Sequence, residues 1–294
     1  MAVHIVPGEA YGFFTDTSVC IGCKACEVAC KEWNQLPGNT PTFLADSFDN
    51  TGQLDAQNWR HVRFLETLPA GDTISQPQNT GGGQAWLMMS DVCKHCANAA
   101  CMEVCPTNAI IRTEFNTVFI QQDVCNGCRN CVSACPYGVI GFSPDTGTVH
   151  KCTLCYDRLQ NNLEPACAKA CPTQSIQFGK LSDLQRQADT RLARLHSQGY
   201  SQAQLYGRDT SVYGGLGAFF LLMDKPEAYR LPSADQAVLP RRNDFGSYLG
   251  GIITAVFAVL GGLVAFRRRG ERPPQTAETQ APAPPGPPPA EDRR

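Results

Sequence analysis

Four groups of cysteines are the residues of this sequence that could do chemistry. All sixteen cysteines lie between residues 20 and 171 of the 294-residue chain. Thiolates bind zinc and iron-sulfur clusters, and thiols also pair in disulfides, so the spacing has to distinguish these uses. The groups are quartet 1 (Cys20, Cys23, Cys26, Cys30), quartet 2 (Cys93, Cys96, Cys101, Cys105), quartet 3 (Cys125, Cys128, Cys131, Cys135) and quartet 4 (Cys152, Cys155, Cys167, Cys171).

The spacing favours [4Fe-4S] clusters. Quartet 3, "CNGCRNCVSACP", has the spacing of the bacterial ferredoxin run, in which three cysteines bind one cluster and the fourth binds the neighbouring cluster. Two-residue gaps in a tight loop let consecutive thiolates converge on one cube. Pro106, Pro136 and Pro172 follow the fourth cysteines, as expected where the backbone leaves a cluster, whereas Lys31 follows Cys30.

The cysteine count supports the same interpretation. Sixteen ligands at four per cluster give four clusters and leave no thiol over. Zinc would give the third cysteine of each compact run no role, and a disulfide between Cys20 and Cys23 would be strained. Disulfides matter most in chains too small for a core, and this chain is long and 43% hydrophobic. A non-redox zinc or disulfide anchoring protein is the alternative from another class.

Ligand exchange between facing quartets predicts which cysteines share a cluster. The neighbouring quartets 2 and 3 pair with each other, so quartets 1 and 4 must also pair, and one ferredoxin-like unit is nested in the other. The expected ligand sets are set 1 (Cys20, Cys23, Cys26, Cys171), set 2 (Cys30, Cys152, Cys155, Cys167), set 3 (Cys93, Cys96, Cys101, Cys135) and set 4 (Cys105, Cys125, Cys128, Cys131), for clusters 1 to 4.

Short strands are expected around the cysteine loops. Residues 85–90 and 116–121 have the pattern of strands that enter a loop, and residues 137–142 that of a strand that leaves one. Residues 61–66 are expected to pair with residues 85–90. The connection between these two, around Pro77, has the composition of a flexible surface loop.

A helix and a strand are predicted after quartet 4. Residues 213–223, "YGGLGAFFLLM", lack dinucleotide-binding spacing and favour a buried strand. The preceding "SDLQRQADTRLARLHSQGY" predicts an amphipathic helix. The apolar face of this helix would consist of Leu184, Ala188, Leu192 and Leu195. Ser182 and Gln185 would form a capping box at its start, and Gly199 would end the helix.

Three cations and a histidine lie between the cysteines. Lys24, Lys94 and Arg129 would stabilise the reduced, more negative clusters and raise their potentials, unless they are solvated loop charges. His95 is expected to lie near a sulfur and tune it rather than to be a ligand, because the cysteine count is complete.

Residues 245–266 are a predicted membrane span. They carry no charge, and as a helix they would extend about 33 Å, enough for a bilayer core of about 30 Å. The run of arginines from Arg267 to Arg269 favours a cytoplasmic C-terminus with the cluster domain on the periplasmic side. Residues 1–19 hold no apolar signal core, so an exported chain would cross folded with a signal-bearing partner; a cytoplasmic cluster domain is the alternative.

Three segments, "DTSVCIGCKACEVACKEWN", "KCTLCYDRLQNNLEPACAKACPT" and "GGLGAFFLLMDKPEAYRLP", resemble the beta subunit of membrane-bound formate dehydrogenases. The resemblance covers most of residues 13–232. It implies a carrier of electrons from a molybdenum or tungsten bis-pterin catalytic subunit to a cytochrome b or other quinone-reactive membrane subunit. The quartets alone fit a wider group, the equivalent subunits of membrane hydrogenases and other molybdopterin oxidoreductases. In nitrate reductase relatives a tryptophan replaces one ligand, whereas Cys128 keeps the sulfur here.

The expected fold is α+β, with two nested ferredoxin-like dicluster units and one C-terminal transmembrane helix. With no nucleophile, base or substrate pocket evident, the chain is expected to conduct electrons without catalysing bond chemistry. A net charge of -2 with scattered cations argues against nucleic acid as a partner. Residues 1–180 are expected to hold the clusters, with an inner unit at about 85–145 inserted in an outer unit of about 13–35 plus 146–180. Residues 181–244 are expected to pack on this domain, and residues 245–266 to span the membrane. Residues 267–294 are expected to form a basic stop followed by a disordered Pro-rich tail.

Overall fold

The structure, a computed structural model, describes residues 4–38, 48–66, 86–233 and 245–270. The predicted loop around Pro77 and the Pro-rich tail lie outside these residues. The strands are β1 Tyr11–Asp16, β2 Arg60–Glu66, β3 Trp86–Val92, β4 Ile110–Arg112, β5 Val118–Ile120, β6 Gly141–Ser143, β7 Thr148–His150, β8 Ile176–Lys180, β9 Gln204–Tyr206 and β10 Ala218–Leu222. The α-helices are α1 Ala25–Trp33, α2 Ala100–Glu103, α3 Asn130–Ala134, α4 Tyr156–Gln160, α5 Ala166–Lys169, α6 Leu181–Ser197 and α7 Phe245–Gly270.

A four-stranded sheet joins the beginning of the chain to the segments that follow quartet 4. Its strand order is β8-β1-β10-β9, with β1 antiparallel to β8 and parallel to β10. All residues of β1 and β10 are buried, which suits strands covered on both faces. A Cβ on Gly12 would lie 2.0 Å from the carbonyl oxygen of Gly217, so the close approach here requires glycine.

The helices that follow the cysteine loops pack in two pairs. Helix α1 of quartet 1 packs against α5 of quartet 4, and α2 of quartet 2 packs against α3 of quartet 3. The strands between them form the antiparallel hairpins β2-β3, β4-β5 and β6-β7. This packing, outer with outer and inner with inner, confirms the predicted α+β fold of two nested ferredoxin-like units.

The strand predictions are confirmed in part. Residues 61–66 pair with the strand that begins at Trp86, and the ladder extends from Arg60 opposite Val92 to Glu66 opposite Trp86. The prediction of a strand over the whole of residues 137–142 is wrong, since β6 covers only the last two of these positions. The chain first turns after Cys135, because Gly138 has φ 59° and its N–H donates to the Cys135 carbonyl at 3.1 Å.

Helix α6 buries the predicted apolar face. Leu184, Ala188 and Leu195 are buried, with Leu192 packed against them, and Gly199 follows the helix with φ 95°. The predicted capping box is wrong: Ser182 lies inside the helix, and Gln185 donates to the Arg208 carbonyl at 3.2 Å. Strand β8 runs directly into α6, and the N–H of Leu181 donates to the Ala10 carbonyl, so the sheet supplies the partner that a cap would offer.

Helix α7 belongs to a second compact unit, Arg241–Arg294, distinct from Met1–Pro240. The segment Tyr248–Arg268 has a mean hydropathy of 2.3, so it is long and apolar enough to span a membrane. The helix continues through the arginines that end the predicted span, to Gly270.

Candidate metal centres

The loops of quartets 1 and 3 share one backbone conformation. Lys24 and Arg129 occupy equivalent positions with left-handed φ values of 60° and 66°, each directly before the helix that carries the third cysteine. Gly22 and Gly127 precede them with φ values of 64° and 67°. A Cβ on Gly127 would lie 2.1 Å from the carbonyl oxygen of Gly147, so this loop needs glycine for space as well as for conformation.

The fourth cysteines of quartets 2 and 4 begin identical turns. In "CPT" at both places, the threonine hydroxyl approaches the cysteine sulfur, at 3.7 Å for Thr107 with Cys105 and 3.8 Å for Thr173 with Cys171. The next residues, Asn108 and Gln174, both have φ 54°. The same local structure therefore recurs where the chain leaves each cysteine group.

Set 3 surrounds a cavity of about 350 Å³. The cavity lies between the loop of quartet 2, the end of α3 and the residue before Cys152. Its other walls are Val118, Val139 and Ile140, which are buried and apolar. Its sulfur-bearing residues are Cys93, Cys96, Cys101 and Cys135.

Set 1 surrounds a second cavity, of about 290 Å³. Val62 of β2 and Ser90 of β3 face it from the hairpin, so the hairpin closes one side of the cysteine loop. The hydroxyl of Ser90 lies 3.2 Å from the sulfur of Cys26. Its sulfur-bearing residues are Cys20, Cys23, Cys26 and Cys171.

Sets 2 and 4 are also brought together. All four cysteines of set 2 are buried, and burial, followed by the charges of Cys152, Cys167 and Cys155, raises the pKa of Cys30 well above its usual value. In set 4, burial raises the pKa of Cys131 to about 11, with further contributions from Cys105, Cys125 and Cys128. Each set thus combines cysteines from two quartets.

Burial holds most of these thiols in their neutral form. It raises the pKa of Cys26, Cys101 and Cys152 to about 12, although the charge of Arg60 acts in the opposite direction on Cys26 and Cys152. Cys105 is an exception, since hydrogen bonds from Thr107 and nearby backbone N–H groups outweigh burial and lower its pKa. Metal binding deprotonates a coordinating thiol outright, so cluster assembly would release protons here.

The donor set and its arrangement fit iron-sulfur clusters. All sixteen cysteines are free thiols. Within the described residues, no three His, Cys, Asp or Glu side chains converge closely enough to hold one metal ion. The thiols of sets 1 and 3 instead surround cavities, as ligands at the corners of a cubane must.

Successive sets are neighbours in space. Besides burial, the charge of Cys167 in set 2 raises the pKa of Cys26 in set 1, and that of Cys93 in set 3 raises the pKa of Cys152 in set 2. Cys131 of set 4 likewise raises the pKa of Cys101 in set 3, after burial and its nearer neighbours. These interactions link set 1 to set 2, set 2 to set 3, and set 3 to set 4.

Solvent reaches the two ends of this series. Cys23 of set 1 and Cys128 of set 4 are exposed, whereas every cysteine of set 2 is buried. The end sets are thus the ones whose cysteines approach the surface of the chain.

The predicted tuning residues occupy different environments. Lys94 is 1% exposed, forms an ion pair with Asp91 and lies 4.7 Å from the Tyr137 ring centroid, so it is not a solvated loop charge. His95 is also buried and lines the cavity of set 3. Lys24 is partly exposed over Phe64, and Arg129 is exposed, with its guanidinium 3.7 Å from the Phe142 ring centroid.

Arg60 and Lys151 are buried cations beside the cysteine sets that were missed from the sequence. Arg60 contacts the sulfur of Cys167 at 3.1 Å, and Lys151 lines the cavity of set 3. The burial of Arg60 could have been predicted from the strand pattern of the sequence. In β2 it alternates onto the same face as Val62 and Phe64, so the strand period directs it inward.

The fold and these loops define a ferredoxin-type iron-sulfur protein. A 4Fe-4S dicluster domain matches residues 19–109, and a second family described as a 4Fe-4S dicluster domain matches residues 84–181. The chain is 39% identical over 225 residues to the formate dehydrogenase iron-sulfur subunit of Haemophilus influenzae, covering 75% of this chain and 68% of the relative. It is 37% identical over 217 residues to the formate dehydrogenase-O iron-sulfur subunit of Escherichia coli, covering 73% and 68%.

The chain belongs to the family of formate dehydrogenase iron-sulfur subunits. It is also 35% identical over 176 residues to the B subunit of anaerobic dimethyl sulfoxide reductase of Escherichia coli, covering 60% of this chain and 76% of that relative. The resemblance seen in the sequence is thereby confirmed, and so is its extension to a wider group of oxidoreductases.

Proposed function

We propose that this chain transfers electrons, one at a time, through four [4Fe-4S] clusters bound by sets 1 to 4. The proposal rests on one observation above all: four groups of four thiols follow one another from an exposed cysteine at Cys23 to another at Cys128. When bound, such clusters supply one-electron redox chemistry, with potentials set by net charge, hydrogen bonds to sulfur and solvent exposure. The polypeptide holds them in series and insulates the middle of the series.

The partners we propose follow from the family. Formate dehydrogenase relatives favour a molybdenum or tungsten catalytic subunit that delivers electrons from formate. The apolar segment Tyr248–Arg268 supports anchoring in a lipid bilayer, beside a cytochrome b or other quinone-reactive subunit. Clusters 1 and 2, from the outer quartets, would form one half of the series and clusters 3 and 4 the other.

The domain limits predicted from the sequence are part of the proposal. We propose that residues 1–180 hold the clusters, that residues 181–244 pack on them and that residues 245–266 span the membrane. The contribution of β10 to the central sheet supports the second point. The arginines at Arg267 and Arg268 favour a cytoplasmic C-terminus and an extracytoplasmic cluster domain. Protease digestion of intact spheroplasts tests this orientation, since a cytoplasmic cluster domain would survive.

Anaerobic purification from membranes tests the central claim. The protein should be brown and contain about sixteen iron and sixteen acid-labile sulfide atoms per chain, four of each per cluster. A colourless preparation without sulfide would reject electron transfer and favour the zinc or disulfide anchoring protein.

A second candidate function is the equivalent role in a dimethyl sulfoxide reductase or another molybdopterin oxidoreductase. The match to 76% of the dimethyl sulfoxide reductase B subunit favours it. The proteins that copurify with the chain, and a comparison of formate-dependent quinone reduction with dimethyl sulfoxide reduction by the purified complex, discriminate between the two. Activity with dimethyl sulfoxide and none with formate would select this second role.

A further inference from the structure

Arg60 is a buried cation that lies between two cysteine sets. The residue is 2% exposed. Its Nη2 donates to the sulfur of Cys167 at 3.1 Å, and its Nη1 donates to the hydroxyl of Ser90 at 3.3 Å. That hydroxyl lies 3.2 Å from the sulfur of Cys26. One guanidinium therefore contacts set 2 directly and set 1 through a single hydroxyl group.

No carboxylate neutralises Arg60 within the described part of the chain. Its remaining contacts are the Ser90 carbonyl at 3.4 Å and the Phe13 ring, whose centroid is 4.8 Å from the guanidinium carbon. Its Nε has no hydrogen-bond partner there. Burying a charge without a counter-charge is strongly unfavourable, so this arrangement calls for negative charge nearby.

The surrounding sulfurs can supply that negative charge. Besides Cys167 and Cys26, the charges of Cys152 and Cys30 interact with Arg60, and the four belong to sets 1 and 2. A cysteine that binds a metal or an iron-sulfur cluster does so as a thiolate. Arg60 thus gains its counter-charges when clusters 1 and 2 are bound.

A second arginine on the same strand shows that the arrangement is specific. Arg63 is three residues further along β2, and its Nη2 lies 2.7 Å from the carboxylate of Asp91. Arg63 therefore has a conventional ion pair, and Arg60 has sulfur in the corresponding role. The difference follows from the pleat, which directs neighbouring positions to opposite faces of the hairpin.

We infer that Arg60 is a positioning residue that raises the reduction potentials of clusters 1 and 2 together, an inference that rests on the proposed function. Reduction adds one negative charge to a cluster, and a fixed cation with N–H donors directed at its ligands favours the more negative state. Because the guanidinium stays charged at all accessible pH values, this contribution does not depend on pH.

The test is Arg60→Gln in the full complex, purified anaerobically and titrated by EPR. Each midpoint potential is assigned to a cluster with four cysteine variants, one for each set. The EPR signal that changes in a variant belongs to the cluster of that set. The variants for sets 1 to 4 are Cys23→Ser, Cys155→Ser, Cys96→Ser and Cys128→Ser. The one-electron reduction constants of clusters 1 and 2 should fall at least tenfold, which is about 59 mV, while those of clusters 3 and 4 stay unchanged. Arg208→Gln is the matched control, since Arg208 is an exposed partner of Asp189 far from the cysteines in sequence, and it should change none.

The outcomes separate the inference from the proposed function. Four clusters at unchanged potentials in Arg60→Gln would overturn the role of Arg60 and leave electron transfer intact, whereas absence of iron and sulfide from the unsubstituted protein would reject electron transfer itself. If Arg60→Gln fails to assemble its clusters, Ser90→Ala decides. It keeps the charge and removes the hydroxyl beside Cys26, so the potential of cluster 1 should fall more than that of cluster 2. An unchanged cluster 1 potential in Ser90→Ala would then overturn the inference.

Discussion

His95 accepts a hydrogen bond at Nδ1 from the backbone N–H of Val118, at 3.0 Å. An Nδ1 that accepts leaves the ring proton on Nε2, so this bond fixes the tautomer. Burial, reinforced by the charges of Lys151 and Arg112, lowers the pKa of His95 well below its usual value and keeps the ring neutral. Nε2 has no partner among the described residues, and the ring lines the cavity of set 3. The histidine therefore presents one unused N–H donor beside those cysteines.

Replacing His95 with leucine should lower the potential of cluster 3. A lost hydrogen bond of about 1 kcal/mol corresponds to roughly 40 mV for a one-electron couple. EPR-monitored redox titration measures the change. His196→Leu, which removes a histidine on α6 whose Nε2 contacts the Ala203 carbonyl, should have no effect. Equal potentials in His95→Leu and the unsubstituted protein would show that Nε2 does not reach the cluster.

Gly127→Ala should prevent normal assembly of cluster 4. The new Cβ would lie 2.1 Å from the Gly147 carbonyl oxygen, so the loop carrying Cys125 and Cys128 would have to move. We expect a loss of up to about four of the sixteen irons, measured together with acid-labile sulfide.

Gly138→Ala controls for conformational strain in that experiment. Gly138 also has a positive φ, 59°, but a Cβ there would meet nothing within 4 Å. The substitution should cost about 1–2 kcal/mol of stability and leave the iron content intact. Similar iron losses in both variants would mean that strain, not the collision with Gly147, disrupts the loop.

The cysteine spacing predicted the organisation of the fold because its chemistry is local. The positions of Lys24 and Arg129 directly before their helices, and the turns after Cys105 and Cys171, lie within a few residues of the cysteines, so short sequence patterns indicate them. The pairing of quartets then followed from the exchange of fourth ligands. The assignment of individual ligands to clusters remains a prediction that iron analysis of the cysteine variants can test.

The central sheet could not be predicted, because its strands are joined by long-range pairing. Strand β1 reads "YGFFTD", without apolar alternation, since both of its faces are buried. Its parallel partner β10 lies more than two hundred residues away, as in Phe13 opposite Ala218. The wrong capping box has the same origin: the Ala10 carbonyl, remote in sequence, already accepts from the first N–H of α6.

Asp91→Asn should strongly destabilise the fold. Asp91 is fully buried and pairs with both Lys94 and Arg63, so the substitution would leave the buried Lys94 and the partly buried Arg63 without their counter-charge. A cost of about 3–5 kcal/mol is expected, or roughly 6–20 °C in thermal unfolding followed by circular dichroism at a fixed scan rate. Asp189→Asn removes the exposed partner of Arg208 and should cost less than about 1 kcal/mol. Comparable shifts in the two variants would contradict a special role for the buried group.

Lys151→Met should lower the potential of cluster 3 more than that of any other cluster. Lys151 is 2% exposed, its Nζ donates to the carbonyls of Val118 and Cys152, and no carboxylate among the described residues forms an ion pair with it. It lines the cavity of set 3, and its charge opposes the effect of burial on the pKa of Cys101. Removing a unit charge several Å away at an effective dielectric constant of about 20 changes the potential on the order of 100 mV.

The matched control for Lys151→Met is Lys169→Met, in which the lysine is exposed and lies two residues after Cys167. Solvent screens an exposed charge, so its loss should shift cluster 2 far less than Lys151→Met shifts cluster 3. The pair of variants removes the same charge from a buried and from an exposed position, each close to a cysteine of the sets in sequence. If redox titration gave equal shifts, burial would not be what makes these cations effective, and the tuning role of Lys151 would be refuted.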